Sequence, residues 1–182
     1  MIEEKPDDER WQELVAVYGN PSFVDRVWPI EGPAERTGSL NSSGTVVLLI
    51  FNLAGSCVFV KRKEASDWLL PMGRIGSSEG IIEAAIRVAM EEAGVKIIPL
   101  GVPQCQRITC LYNDMTCLRW YFVVVAETAT SDLDPLDSDR IDEARLFDLT
   151  PSVGDPRLME WMVELHQVGI RFMRSMDALD GI

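Results

Sequence analysis

Between Gly73 and Val95 the chain reads G-R-I-G-S-S-E-G-I-I-E-A-A-I-R-V-A-M-E-E-A-G-V, a glycine-bearing turn followed by a segment of helical periodicity. Successive helical residues turn by about 100°, so Val88 and Glu92 lie within about 40° of each other and Glu91 flanks Val88 on the other side. Glu79 stands at the expected helix start. Carboxylates along one helix edge can hold Mg2+ or Mn2+, which prefer oxygen ligands and keep waters that a phosphate can displace. Gly73 and Gly76 let the turn bring backbone groups to that edge. A plainer reading also exists, in which Glu83, Arg87 and Glu91 form an i, i+4 ladder on a solvated face. Ile82, Ala85 and Ala89 share another face, where small side chains let a helix lie close to a sheet.

The elements around this stretch follow from pattern. Residues from Asp7 to Tyr18 predict a helix, with Trp11, Leu14, Val15 and Tyr18 at helical spacing and Gly19 ending it. Gly19 to Ser43 reads as a lead-in with a short strand near Phe23 to Val27. Thr45 to Phe51 and Ser56 to Arg62 predict two strands joined at Asn52-Leu53-Ala54-Gly55. The central helix is expected from Glu79 to Ala93, with Gly94 as a left-handed cap. Strands near Ile97 to Tyr112 and Met115 to Glu127 follow, with a turn at Asn113-Asp114. An acidic loop, Ser131 to Asp142, leads to a strand over Ala144 to Leu149 and a last helix from Pro156 to Met176, capped by Asp155. Strands on both sides of a central helix, with a second helix at the end, predict a mixed sheet sandwiched by helices, an α/β fold.

Composition narrows the partners. A net charge of −12 disfavours a broad nucleic-acid footprint but not a small anionic ligand bridged by cations. No long apolar run predicts a membrane span. Cys57, Cys105, Cys110 and Cys117 contain no Cys-x-x-Cys pair and read as reduced core or sheet residues of a cytoplasmic protein. His166, the one histidine, lies far from them, which argues against zinc.

The stretch resembles the box of the Nudix family: Gly, five residues, Glu, seven residues, Arg-Glu, an apolar residue, any residue, Glu-Glu, any residue, Gly and an apolar residue. Gly73, Glu79, Arg87, Ala89, Glu91, Glu92, Gly94 and Val95 stand at the matching places, and Val88 stands where the box has its first Glu after Arg. Trp68, Leu70 and Pro71 resemble the usual lead into the box. The resemblance implies a Nudix-type α/β/α sandwich with a mixed sheet, a domain over residues 43–182 including the C-terminal helix, and an N-terminal helical extension and lead-in over residues 1–42.

The resemblance further implies hydrolysis of a phosphoanhydride in a nucleoside-diphosphate-linked or related diphosphate compound, with Mg2+ or Mn2+ as cofactor. By position, Glu91 and Glu92 are the metal ligands, joined by the carbonyl of Gly73 or Met72, and Arg87 works with them. Glu79, Gly73 and Gly94 keep the box in shape. The Glu replaced by Val88 is, in the family, usually a metal ligand and sometimes the general base, and valine can be neither. Two outcomes follow. In one, the base comes from the acidic loop, where Asp132, Asp134, Asp137 and Asp139 stand, or from Glu127. In the other, the domain binds a nucleotide or a protein without turnover.

Substrate contacts are expected from Arg62, within Lys61-Arg62-Lys63, from Arg74, and from Trp68. Tyr112, Trp120 and Tyr121 are further candidates to stack on a base, though strand aromatics also build cores. The apolar residues Trp161, Met162, Phe172 and Met173 of the last helix suggest a homodimer.

Overall fold

The computed structural model describes residues 2–3, 8–29, 44–63, 65–112 and 115–180. Its strands are β1 (Ile2–Glu3), β2 (Ser22–Pro29), β3 (Thr45–Asn52), β4 (Cys57–Arg62), β5 (Trp68–Leu69), β6 (Met72–Arg74), β7 (Ile98–Tyr112), β8 (Met115–Thr128) and β9 (Ile141–Phe147). The helices are α1 (Asp8–Tyr18), α2 (Ile81–Ala93) and α3 (Pro156–Asp180). The expected turn at Asn113-Asp114 and the lead-in over residues 30–43 lie outside the described residues.

One mixed sheet runs in the order β2-β7-β8-β3-β4-β5, with β1 on β8, β6 on β3 and β9 on β4. Strands β3 and β8 pair in parallel through eight residues, Thr45↔Tyr121 to Asn52↔Thr128. β7 and β8 form the long antiparallel pair. The all-apolar run Val46 to Phe51 marks a strand buried on both faces. Its alternation divides the core. Val46, Leu48 and Ile50 join Leu14 of α1 and Ala84, Ala85, Val88 and Ala89 of α2 on one side of the sheet. Val47, Leu49 and Phe51 join Trp161, Met162 and Leu165 of α3 on the other. The result is the α/β/α layering expected of this element order.

Two boundaries differ from expectation in ways that bear on the site. α2 starts at Ile81, so Glu79 lies in the preceding loop, because Gly80 is extended (φ −75°, ψ 162°). β9 starts at Ile141, three residues early, because it pairs with β4 as far as Arg62↔Ile141. The residues before the box fold are also part of the sheet: β2 lies parallel on β7 through eight pairs. In α3, Trp161 and Met162 are buried and Phe172 and Met173 pack on the chain's own core. All four cysteines are buried and free, and burial pushes the Cys105 thiol up to about 12.

His166 of α3 is buried between the rings of Phe51 and Phe59, with Nδ1 2.9 Å from Thr150 Oγ1. Burial lowers its pKa from the ordinary 6.5. Below 6.5 the unfolded chain takes up the proton more readily than the folded one, so stability is lost as pH falls from that value towards the lower folded one. Urea midpoints at about pH 7 and pH 5 test this: the natural chain loses more on acidification than His166→Gln does.

Candidate active site

The loop from Met72 to Gly80 and helix α2 are fastened by one arginine. Arg87 donates from Nε to Glu79 Oε1 (2.7 Å), from Nη2 to Glu79 Oε2 (2.8 Å) and to the Arg74 carbonyl (2.8 Å), and from Nη1 to Glu91 Oε2 (2.9 Å). Glu79 accepts the Gly76 N–H as well (2.9 Å). The guanidinium hydrogen bonds hold the Glu79 carboxyl below its usual range. Arg10 of α1 adds a clamp from outside, donating to the carbonyls of Gly76 (3.3 Å) and Ser77 (2.6 Å).

Helix α2 ends at Gly94, whose φ of 69° is left-handed; its N–H returns to Met90 O (3.1 Å) and that of Val95 to Ala89 O (3.3 Å). The acidic loop docks on this end, where Asp137 N–H donates to Glu91 O (2.8 Å).

The buried edge of α2 carries Val88 and Glu92, each 1% exposed. A Cβ on Gly73 would lie 2.5 Å from Val88 Cγ2, so the valine methyls fill the space beside the Gly73 backbone. Glu92 has both oxygens engaged. Oε1 accepts from Arg62 Nη2 (2.8 Å) and Oε2 accepts the Met72 N–H (2.9 Å). Arg62 Nη2 also donates to the Met72 carbonyl (3.1 Å), and Arg140 Nη2 lies 3.7 Å from Glu92 Oε1. Burial raises the Glu92 pKa; the Arg62 charge and the Met72 N–H oppose that without cancelling it.

The structure therefore joins Glu79, Arg87 and Glu91 in one contact set and Glu92, Arg62 and Met72 in another, with Gly73 against Val88. Trp68 is apart from both contact sets, half-buried, edge-on to Phe147 (5.0 Å between ring centres) and under the guanidinium of Arg145. Trp120 packs on Phe23 and Tyr121 on Trp161. Arg74 contributes its carbonyl to Arg87. Sequence reasoning took Arg62 for a ligand contact and missed its pairing with Glu92. Part of the signal was present: period two puts Arg62 on the same face as Val58 and Val60, which in the fold look towards α2. Arg140 was missed altogether. A cavity of about 400 Å³ opens between α1 and the start of α2, lined by Arg10, Tyr18, Ser78 and Ile82. It lies about 16 Å along the helix from Glu92, too far to serve these carboxylates.

A divalent ion of the Mg2+ kind needs about six oxygens at roughly 2.0–2.1 Å. Here the Glu92 oxygens and the Met72 carbonyl already face N–H donors, Glu91 is paired with Arg87, and Val88 offers carbon. Among the described residues no group of three or more His, Cys, Asp or Glu side chains is placed to hold a metal. The residues present do not fit the ion.

A mixed sheet between helices, with a glycine turn tied to its central helix by the Glu79-Arg87-Glu91 clamp, is the arrangement of an α/β/α sandwich. The chain belongs to the Nudix family, the NUDIX domain matching residues 41–165. Among solved structures it resembles a NUDIX hydrolase from Nitrosomonas europaea (24% identity, TM-score 0.50, covering 72% of this chain and 88% of that one). It also resembles an ADP-ribose pyrophosphatase from Streptococcus suis (13%, 0.52, 71% and 90%). A third is the NUDIX domain of Shewanella oneidensis NrtR complexed with ADP ribose (14%, 0.53, 71% and 86%). No curated protein matches the chain.

Proposed function

We propose that this Nudix hydrolase acts on the phosphoanhydride of a nucleoside-diphosphate-linked or related diphosphate compound, slowly. The observation that carries this reading is the intact frame of the box, the Arg87 clamp on Glu79, Glu91 and the Arg74 carbonyl. Around it, Arg62 and Arg140 converge on Glu92 and give an acidic chain a local pair of cations for a diphosphate to meet. In the reaction water attacks one phosphorus of the P–O–P link. The bridging oxygen leaves with the other phosphate, and the proton passes to solvent. Loss of a positioned base typically removes about 10²–10⁴ in rate, which is the deficit expected from Val88.

A second reading, binding of such a compound without turnover, is favoured by Val88 seated against Gly73. A panel of nucleoside-diphosphate-linked compounds, ADP-ribose among them, separates the two. Hydrolysis predicts slow release of a nucleoside monophosphate or phosphate, lost in Arg87→Ala, which opens the clamp. Binding alone predicts no release, with a raised melting temperature in the presence of a panel member. A panel that gives neither release nor stabilisation overturns both.

A further inference from the structure

We infer that the box of this chain carries its own cation: the guanidinium of Arg62 takes the place of a divalent ion and closes the box to metals. It shares the site proposed above for hydrolysis but does not rest on turnover.

The donor set is the first ground. Arg62 Nη2 lies between a carboxylate oxygen of Glu92 (2.8 Å) and the carbonyl of Met72 (3.1 Å). These are two oxygens, a glutamate at the end of α2 and a backbone carbonyl of the box loop, that an oxygen-seeking ion would need. Met72 holds the arrangement from both sides, since its N–H donates to the other Glu92 oxygen (2.9 Å).

The second ground is steric. Val88 fills the space next to Gly73, so an ion cannot enter between α2 and the loop without moving a buried valine. The third is the direction of β4. Its residues run without insertion to Arg62, the register skipping Asp142 of β9 instead. Val58 and Val60 face α2, and Arg62, two residues on, keeps to that side and reaches Glu92. The fourth is charge. Arg140 lies 3.7 Å from the same oxygen, so a divalent ion would be set beside two guanidiniums while gaining only one buried carboxylate.

The experiment uses Mn2+ alone, without any substrate, and follows free Mn2+ by electron paramagnetic resonance and unfolding by melting. The natural chain is expected to leave the Mn2+ signal and its own melting temperature unchanged up to about 1 mM ion. Arg62→Ala frees Glu92 and the Met72 carbonyl, so it gains at least about tenfold in Mn2+ affinity, and Mn2+ raises its melting temperature. Val88→Glu combined with Arg62→Ala binds tighter still. Arg62→Gln, which keeps a donor but no charge, is the second variant should Arg62→Ala fold poorly, and it too gains Mn2+ uptake. Saturable uptake by the natural chain below about 1 mM ion would overturn the inference. So would Arg62 variants that fold and take up no more Mn2+ than the natural chain. Hydrolysis is read from the substrate panel and the resident cation from metal uptake, so either can fail alone.

Discussion

Gly94→Ala is expected to cost about 2–5 kcal/mol of stability, combining about 1–2 for a left-handed alanine with about 1–3 for overpacking. A Cβ there would lie 1.8 Å from the Asp134 carbonyl oxygen and 2.8 Å from its nitrogen. Those are backbone atoms, which no rotamer change can move aside. The acidic loop must lift, and it is tied to the helix end by the Asp137 N–H on Glu91 O. Arg140, bonded to Asp137, would be carried away from Glu92. Gly55→Ala is the control: its φ is 86°, but nothing lies within 4 Å of the added Cβ. Urea unfolding of both variants separates the two contributions. Equal losses would mean that the approach of Asp134 carries none of the effect. A larger loss in Gly94→Ala assigns the difference to that contact.

Gly94 also shows how far the sequence could be read. Its place as a left-handed cap follows from a helix that stops at Ala93 before a non-helical run, and φ of 69° agrees. What no local pattern holds is the Asp134 carbonyl packed on its Cα, a contact forty residues away in sequence. The same division runs through the site. Arg87 facing Glu91 is an i, i+4 relation, and the Nudix spacing adds Glu79, so that clamp was legible. Val88 was legible as a departure from the box, but its burial against Gly73 depends on how closely α2 approaches β6. Arg62 was legible as a basic strand end. Period two gave its side of the sheet but not its partner, because a strand residue finds a helix residue thirty positions later only once the sheet is assembled. Trp68 was legible as an aromatic before the box, but its contact with Phe147 depends on β5 pairing with β4.

Arg62→Ala is the other large effect, and its size depends on pH. Glu92 is 1% exposed, and its Oε1 would lose its nearest partner, leaving Arg140 at 3.7 Å. Removing one member of a buried ion pair costs about 3–5 kcal/mol, and the part exposure of Arg62 and Arg140 places this pair near 3. Burial already raises the Glu92 pKa, and the Arg62 charge opposes that rise. Without Arg62 the folded value moves further above the unfolded one. A carboxyl with a raised folded pKa favours the folded state while protonated, and that contribution is lost as pH climbs through the folded value. Arg62→Ala should therefore lose little stability near about pH 4.5 and most of it near about pH 7. Glu92→Gln keeps an acceptor for the Met72 N–H and removes the charge that needed Arg62. In its presence Arg62→Ala should cost little at either pH. A double-mutant cycle by urea unfolding at the two pH values measures this coupling. If Arg62→Ala costs the same at both, or the same in the Glu92→Gln background as in the natural chain, then Arg62 is not neutralising Glu92 and the pair is a packing contact only.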